Sequence, residues 1–272
     1  LTIIGAYVGD VVSPDFRAPA FGVILGVIGI GVLIAPALST LTSVTNVFWA
    51  QAAAQVFSML FVLVSVPETL DNKLRVPFRR SSLNPVACFA ILGQSRMFKL
   101  LASCVLFQAM CQNGVQAVLV YYLEAAMGFG RDDIGKLLSM LGAVVLVTNV
   151  ALMKPLVSLL GYKGLLCFGL FIHIPSYIGL ALFKKASLAY LFVGIGGIGD
   201  VVFPAVSAIK SINVSSSQQG AIQGALFGIR SFASAAGPLL FTAVYTAFSH
   251  KPGTGHSLPY MPSLPMYIGA AL

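Results

Sequence analysis

The amino-acid sequence predicts an all-α membrane protein. Hydrophobic residues make up 58% of its 272 residues, and charged residues make up only 9%. A soluble domain needs far more charged and polar side chains to cover its surface, so this composition excludes that class. Apolar runs close to or above the roughly 20 residues that a helix needs to cross a bilayer recur along the chain.

Seven of these runs predict complete transmembrane helices. They cover residues 18–41, 48–66, 98–123, 134–153, 165–183, 187–209 and 221–248. Residues 1–8 and 264–272 are also apolar, but each run is too short to cross a bilayer and is predicted to belong to a longer helix. Because the sequence also lacks an initiator Met and a signal peptide pattern, we interpret the chain as a fragment with truncated ends.

The first and last complete segments share one pattern of small residues and a proline, at a constant offset. The first copy is Gly22, Gly26, Gly31, Ala35 and Pro36, and the second is Gly224, Gly228, Ala233, Gly237 and Pro238. Small residues at this spacing line one helix face and let a neighbouring backbone come close. Recurrence in two halves of a chain is typical of proteins built from parallel structural repeats. Chance is the alternative, because Gly and Ala are common in membrane helices.

The distribution of Lys and Arg predicts which loops face the cytoplasm, since cytoplasmic loops are enriched in these residues. Ten of the sixteen lie in one alternating set of loops: Arg17, Lys73, Arg75, Arg79, Arg80, Arg96, Lys99, Lys154, Lys163 and Lys210. The other set carries four: Arg131, Lys184, Lys185 and Lys251. The net charge of +8 therefore indicates cytoplasmic loops beside anionic lipid, and no nucleic-acid partner is expected.

Asp200 and Arg230 are predicted to lie inside the membrane, where a charge is costly and usually functional. At helical rise, Asp200 lies about 20 Å from the outer face and Arg230 about 14 Å from the inner face, so the two levels nearly coincide. We expect their helices to bring them together. Two roles stay open: a structural or gating ion pair, and direct binding of substrate or protons.

Amide side chains form two further polar stripes. One stripe is Gln108, Gln112 and Gln116 with Asn113 beside them, and a shorter one is Gln51 and Gln55. Each stripe either faces a water-filled cavity that holds substrate or hydrogen-bonds to a neighbouring helix. His173 is a further candidate for coupling because imidazole titrates near neutral pH, unless a backbone carbonyl satisfies it.

Sequence motifs give no support for an enzyme, a cofactor site or a metal site. The chain has no HExxH motif, no nucleophile elbow and no paired-carboxylate segment. The adjacent Asp132 and Asp133 are expected to cap a helix N-terminus. The glycine run before Asp200 follows no predicted strand, so it does not predict a nucleotide-binding loop. Packing is the expected role of Cys88, Cys104, Cys111 and Cys167, none of which forms a CxxC pair.

Several segments resemble motifs of one family of membrane proteins. Residues 5–10 with Arg17 resemble the end of its fourth helix and the loop that follows. Residues 22–40 resemble the antiporter motif of the fifth helix, with Ala35-Pro36 and Ser39-Thr40 where the family has Gly-Pro and a Gly pair. The remaining matches are residues 67–69, which resemble the signature closing the sixth helix, and residues 203–207, 218–220, 228–230 and 237–238, which resemble the tenth and eleventh helices. The chain thus resembles the major facilitator superfamily, and within it the tetracycline-efflux-like and hippocampus-abundant-transcript-like group.

The resemblance implies a partial major facilitator fold, with about seven complete transmembrane helices plus truncated ends and without the family's first three helices. Residues 1–66 would be the remnant of an N-terminal bundle, comprising the end of helix four and helices five and six. Residues 67–98, a basic stretch with prolines, would be the cytoplasmic central linker. Residues 99–272 would form the C-terminal bundle of helices seven to twelve, the last one truncated.

The resemblance also implies a function. It is secondary active transport of a small organic solute by alternating access, with proton coupling as a further expectation. Asp10 and Arg17 would belong to a cytoplasmic gate. The expected partners are a small-molecule substrate and the lipid bilayer, and the protein is expected to be monomeric. Two alternatives stay open: a membrane scaffold or receptor-like protein that keeps the fold without transport, and a channel.

Overall fold

The computed structural model describes most of the chain after residue 94 and parts of the chain before it. The described residues are 7, 11–12, 27, 29–36, 38, 42–68, 92–93, 95–213, 216–249 and 259–272, and side chains are described for all of these except 44, 211 and 216–221. All regular structure in the described residues is helical. This agrees with the predicted all-α class.

Eight α-helices account for most of the described residues. They are α1 (Val44–Ser65), α2 (Arg96–Met127), α3 (Arg131–Val147), α4 (Met153–Leu182), α5 (Ala186–Ile198), α6 (Val202–Asn213), α7 (Ser216–Phe248) and α8 (Leu264–Ala271). A π-helical turn, Thr148–Leu152, joins α3 to α4, and a 3₁₀ turn, Gly199–Val201, joins α5 to α6. Residues 29–36 are helical as well.

Five segments within the described residues are long and apolar enough to cross a membrane. They are Thr45–Ser65, Arg96–Met127, Arg131–Leu182, Ala186–Lys210 and Ile222–Phe248. The third spans 52 residues and contains two of the predicted transmembrane helices. Six of the seven predicted helices therefore fall within these segments except for at most one terminal residue of each, and the remaining one, residues 18–41, is described only in part.

Local sequence explains where several helices begin and end. Ser43 caps α1, because its hydroxyl accepts a hydrogen bond from the backbone nitrogen of Asn46 at 3.3 Å. Gly128 ends α2 with a φ of 68°, a conformation that glycine adopts without steric cost. At the start of α3 the carboxylate of Asp133 accepts a hydrogen bond from the backbone nitrogen of Gly130 at 3.2 Å, as expected of a capping residue.

Two boundaries differ from the sequence-based expectation. Residues 154–164, expected to be a cytoplasmic loop, are helical on both sides of Gly161, where a φ of 64° and a ψ of 172° interrupt α4. The lysines in this stretch are exposed on the helical ends. A helix with exposed lysines can extend beyond the hydrocarbon, so a basic stretch need not be a loop. Similarly, α2 begins at Arg96, inside the predicted linker 67–98.

The buried apolar residues form two separate clusters. The Tyr122 cluster consists of Cys111, Val115, Val118, Leu119, Tyr122, Leu123, Phe129, Leu137, Tyr177, Leu180, Ala181, Ala189, Val193, Phe241 and Met266. The Val206 cluster consists of Leu92, Leu101, Ala102, Val105, Leu165, Leu166, Val201, Val202, Ala205, Val206, Ile209, Ile222, Ala225 and Leu226. Helices α2, α4 and α7 each contribute to both clusters. Helix α5 contributes to the Tyr122 cluster, and α6, which follows it after the 3₁₀ turn, contributes to the Val206 cluster.

A central layer separates the two clusters. It consists of the stretches in which each of these segments passes from one cluster to the other: residues 106–110 in α2, 167–176 in α4, 194–200 between α5 and α6, and 227–240 in α7. Because four segments change cluster here, these stretches lie at one level of the bundle. Polar residues in them are therefore predicted to lie near the middle of the membrane.

Helices α2 and α7 approach each other closely at two glycines. A Cβ on Gly237 would collide with the backbone carbonyl of Met110, and a Cβ on Gly114 would collide with the ring of Phe241. Close approach of two helical backbones requires small residues at the contact. Gly237, which belongs to the second copy of the repeated pattern, lies at such a contact. The packing role of the pattern as a whole stays a prediction.

Other members of the repeated pattern differ in their surroundings. A Cβ on Gly31 or Gly224 would meet no atom within 4 Å, so neither glycine is at a close contact in this structure. Gly228 and Pro238 lie within α7, which continues through the proline. Pro36 belongs to the helical residues 29–36, whereas Gly22 and Gly26 lie outside the described residues.

Residues 29–36 pack against α3. A Cβ on Gly142 would lie 2.6 Å from the backbone nitrogen of Leu33, and a Cβ on Gly29 would lie 3.3 Å from Leu146. Glycine is thus required on α3 at the point where the two backbones meet. This contact joins the predicted N-terminal remnant to the predicted C-terminal bundle.

Candidate solute site

Polar side chains from four segments meet in or beside the central layer. They are Gln108 and Gln112 of α2, His173 and Ser176 of α4, Asp200 of the 3₁₀ turn and Arg230 of α7. Polar groups inside a membrane protein are costly unless they face one another or a cavity. Their concentration at one level marks the candidate site.

Asp200 lies where the path from α5 to α6 is broken. The 3₁₀ turn Gly199–Val201 interrupts the α-helical hydrogen bonding at this residue. Its Oδ1 accepts a hydrogen bond from Nε2 of Gln112, whose Oε1 in turn accepts one from Nε2 of Gln108 at 2.9 Å. Gln108 is only 9% exposed. Two amides of α2 therefore form a chain of hydrogen bonds that ends on the carboxylate.

Arg230 is held by an aromatic ring. Its guanidinium carbon lies 4.5 Å from the centroid of the Phe203 ring, in a cation–π contact. Phe203 packs in turn against Phe227, with 5.5 Å between the ring centroids. Arg230 and Asp200 make no direct hydrogen bond with each other, because each charge is held by a different neutral partner.

His173 fills the space beside the glycine run. Its ring stacks on Tyr177 with 5.6 Å between centroids, and its side chain is 9% exposed. A Cβ on Gly199 would lie 2.7 Å from its Nε2, so the backbone of the 3₁₀ turn touches the ring. Neither ring nitrogen has a hydrogen bond of ordinary geometry, although the backbone of Gly199 lies against the ring.

The glycine run before Asp200 is a packing surface between two helices. A Cβ on Gly196 would lie 2.7 Å from Oγ of Ser176 on α4, and a Cβ on Gly197 would lie 2.9 Å from Leu141 on α3. The hydroxyl of Ser176 donates a hydrogen bond to the carbonyl of Phe192 at 2.7 Å. Glycine therefore allows α3 and α4 to close on α5 from both sides, next to the carboxylate.

The remaining predicted site residues lie elsewhere. Gln116 is exposed, and Asn113 donates a hydrogen bond to the carbonyl of Ala109 in its own helix at 2.7 Å. Gln51 and Gln55 are exposed on α1. The predicted gate residues Asp10 and Arg17 lie outside the described residues.

Sequence reasoning missed four buried polar residues: Thr148, Asn149, Ser176 and Lys210. Lys210, which was counted as a cytoplasmic loop residue, lies in α6, is 7% exposed and donates a hydrogen bond to Oε1 of Gln223. Asn149 lies in the π-helical turn, where its Nδ2 donates to the carbonyl of Val145 at 2.9 Å and its buried Oδ1 has no hydrogen-bond partner. The signal for Asn149 was present, because it stands with Thr148 inside an apolar run.

The described residues contain no group of three or more His, Cys, Asp or Glu side chains that could hold a metal ion. Cys104, Cys111 and Cys167 are free thiols, and Cys111 is buried in the Tyr122 cluster. The chemistry available in the central layer is therefore that of one carboxylate, one guanidinium, one imidazole and two amides. These groups can bind a polar solute or a proton.

Comparison with known proteins identifies the family. The model of the Major Facilitator Superfamily matches residues 1–238. The human hippocampus abundant transcript-like protein 1 is 25% identical over 256 residues, which cover 91% of this chain and 51% of that protein. The class C tetracycline resistance protein of Escherichia coli is 24% identical over 247 residues, covering 90% of this chain and 62% of the relative.

A solved structure has the same fold. The crystal structure of the human organic anion transporter MFSD10 (TETRAN) matches with a TM-score of 0.78 at 18% identity, covering 99% of this chain and 66% of that one. The chain spans about half the length of the hippocampus abundant transcript relatives that it matches. The predicted resemblance and the predicted membrane location are confirmed. The chain belongs to the Major Facilitator Superfamily, a family of transporters and not of enzymes, and it is an integral, multi-pass membrane protein.

Proposed function

We propose that the protein is a secondary active transporter of a small organic solute. The observation that carries this proposal is the central layer, in which Asp200 and Arg230 lie between two apolar clusters with the buried Gln108 and the half-buried Gln112 beside them. Transporters of this architecture bind their solutes near the bilayer midplane, often where a helix is interrupted. Asp200 lies at such an interruption.

Alternating access is the mechanism that this geometry supports best. The contact between residues 29–36 and α3 joins parts of the two predicted bundles at Gly29 and Gly142, where the two backbones come close. Rocking of one bundle against the other at this surface would expose the central layer to each side of the membrane in turn. Asp200 can also bind a proton, which would couple solute movement to a proton gradient.

Flux measurements test this function. The complete gene product that contains these residues is reconstituted in liposomes, and uptake of a panel of labelled solutes, including tetracycline and an organic anion, is measured with an imposed proton gradient. We expect saturable uptake that the variant Asp200→Asn abolishes. The control variant Asp132→Asn removes an exposed carboxylate from the first turn of α3 and is expected to keep uptake.

Two results would contradict the proposal. Abundant, folded protein with no flux for any solute would favour a scaffold or receptor-like protein. Non-saturating, voltage-driven current would favour a channel.

A further inference from the structure

Asp200 and Arg230 form what we call the open charge pair: two opposite charges, each held by a separate neutral partner, Gln112 for the carboxylate and the Phe203 ring for the guanidinium. We propose that the open charge pair binds a zwitterionic solute, and that Phe203 is the positioning residue that keeps Arg230 away from Asp200. This proposal rests on the transport function proposed above and names the class of its substrate.

The separation has a structural cause on each side. Gln112 holds the carboxylate of Asp200, and Gln108 fixes the orientation of the Gln112 amide by donating to its oxygen. The Phe203 ring holds the guanidinium of Arg230 at 4.5 Å and is itself supported by Phe227. A closed ion pair would satisfy both charges and leave little binding capacity for a solute. The open pair retains that capacity at both ends.

Electrostatics then selects the charge of the solute. An unpaired charge in a low-dielectric region is unfavourable, so each end of the open charge pair favours a group of opposite sign. A solute with a single charge satisfies one end only and leaves the site with a net charge. A zwitterion satisfies both ends, because its acidic group matches the donor fork of Arg230 and its ammonium group can donate to the carboxylate of Asp200.

The nearest additional buried cation in the described helices does not alter this balance. Lys210 is seven residues beyond Phe203 on the same segment, which corresponds to about 10 Å at helical rise. Its ammonium group already donates to Gln223. The described part of the central layer contains one carboxylate, Asp200, and one guanidinium, Arg230, while its imidazole, His173, stacks on Tyr177.

Binding measurements with a matched set of probes test the charge selectivity. The complete gene product in nanodiscs is titrated with 4-(aminomethyl)benzoate, 4-methylbenzoate and 4-methylbenzylamine, which share a ring and differ in charge. We expect the zwitterion to bind at least about tenfold more tightly than either singly charged probe. Equal or tighter binding of the anion or the cation, or no binding of any probe, would overturn the proposal.

Variants of Phe203 test its positioning role. Phe203→Leu removes the cation–π contact, so Arg230 is expected to close on Asp200 and the preference for the zwitterion to fall about tenfold or more. Phe203→Tyr keeps the ring and should keep the preference. Phe171→Leu, at an exposed position on α4, is the matched control. A purely structural role would lower stability without changing the ratio of affinities, so an unchanged ratio in Phe203→Leu would overturn the assignment.

The two proposals fail in different ways. Gradient-driven flux without a preference for the zwitterion would leave the transport function standing and remove the open charge pair as a zwitterion site. Preferential zwitterion binding without flux would leave the open charge pair standing as a zwitterion site and remove the transport function.

Discussion

The electrostatic coupling of Asp200 to Arg230 can be measured with a double-mutant cycle. Asp200→Asn and Arg230→Gln each remove one charge and leave the other without its counter-charge, whereas the double variant removes both. At an effective dielectric constant of about 20, opposite unit charges attract by about 4 kcal/mol at about 4 Å and by about 2 kcal/mol at about 8 Å. The two groups are half-buried and not in direct contact, so water weakens the attraction and we expect a coupling of roughly 1–3 kcal/mol.

The assay is the free energy of unfolding in mixed detergent, measured for the parent protein, the two single variants and the double variant. The loss in free energy of unfolding should be smaller in the double variant than the two single losses added together. The difference should equal the coupling energy. Asp132→Asn combined with Arg230→Gln is the control cycle, because Asp132 is exposed at the start of α3 and should give additive effects. Additivity within about 0.5 kcal/mol for Asp200 and Arg230 would refute the electrostatic coupling.

Three further predictions follow from the packing and the length of the chain. Gly237→Leu should lower the free energy of unfolding by roughly 1–3 kcal/mol, because its side chain would collide with α2; Gly224→Leu, with no atom within 4 Å of a Cβ, should not. Gln223→Leu should cost about 1–3 kcal/mol by leaving the buried Lys210 ammonium without its acceptor, and the same unfolding assay should show recovery in the double variant Lys210→Met, Gln223→Leu. The 272-residue chain alone should give no saturable, gradient-driven uptake in liposomes, since it spans about half the length of its relatives.

The fold could be predicted because a bilayer imposes a strong constraint on sequence. Each crossing needs about 20 apolar residues, so the transmembrane segments stand out without any knowledge of packing. The ends of the helices were harder to predict, since a helix can continue into water when its side chains are exposed. The stretch around Gly161 shows this: basic residues indicated a loop, but only the backbone conformation of one glycine interrupts the helix.

The candidate site could be predicted in part. Asp200 was identified because a charge within an apolar segment is conspicuous, and Gln108 and Gln112 because they recur at helical spacing. Gln116 follows the same spacing yet is exposed. Four residues of an α-helix turn through about 400°, so each step of the stripe drifts by about 40°, and the third glutamine is rotated by about 80° from the first. Sequence spacing alone does not reveal where this drift takes a side chain out of the site.

The partner of Arg230 could not have been predicted from spacing. Asp200 is the obvious counter-charge at the same depth, and only the register between α6 and α7 reveals that the Phe203 ring lies under the guanidinium. Lys210 was missed for a related reason: counting basic residues treats every lysine as solvent-facing, whereas the same α6–α7 packing buries this one. In both cases the deciding information is the alignment of two helices.

The glycine run and the helix break act together on Asp200. Gly196 and Gly197 let α4 and α3 close on α5, and Gly199 lets the His173 ring lie against the 3₁₀ turn. The carboxylate is therefore held at the end of a tightly enclosed segment, where a 3₁₀ turn replaces the α-helical hydrogen bonding. A larger residue at Gly196 or Gly197 would push α5 away from its neighbours and move Asp200 relative to Gln112. The glycines thus contribute to the geometry of the open charge pair without contacting it.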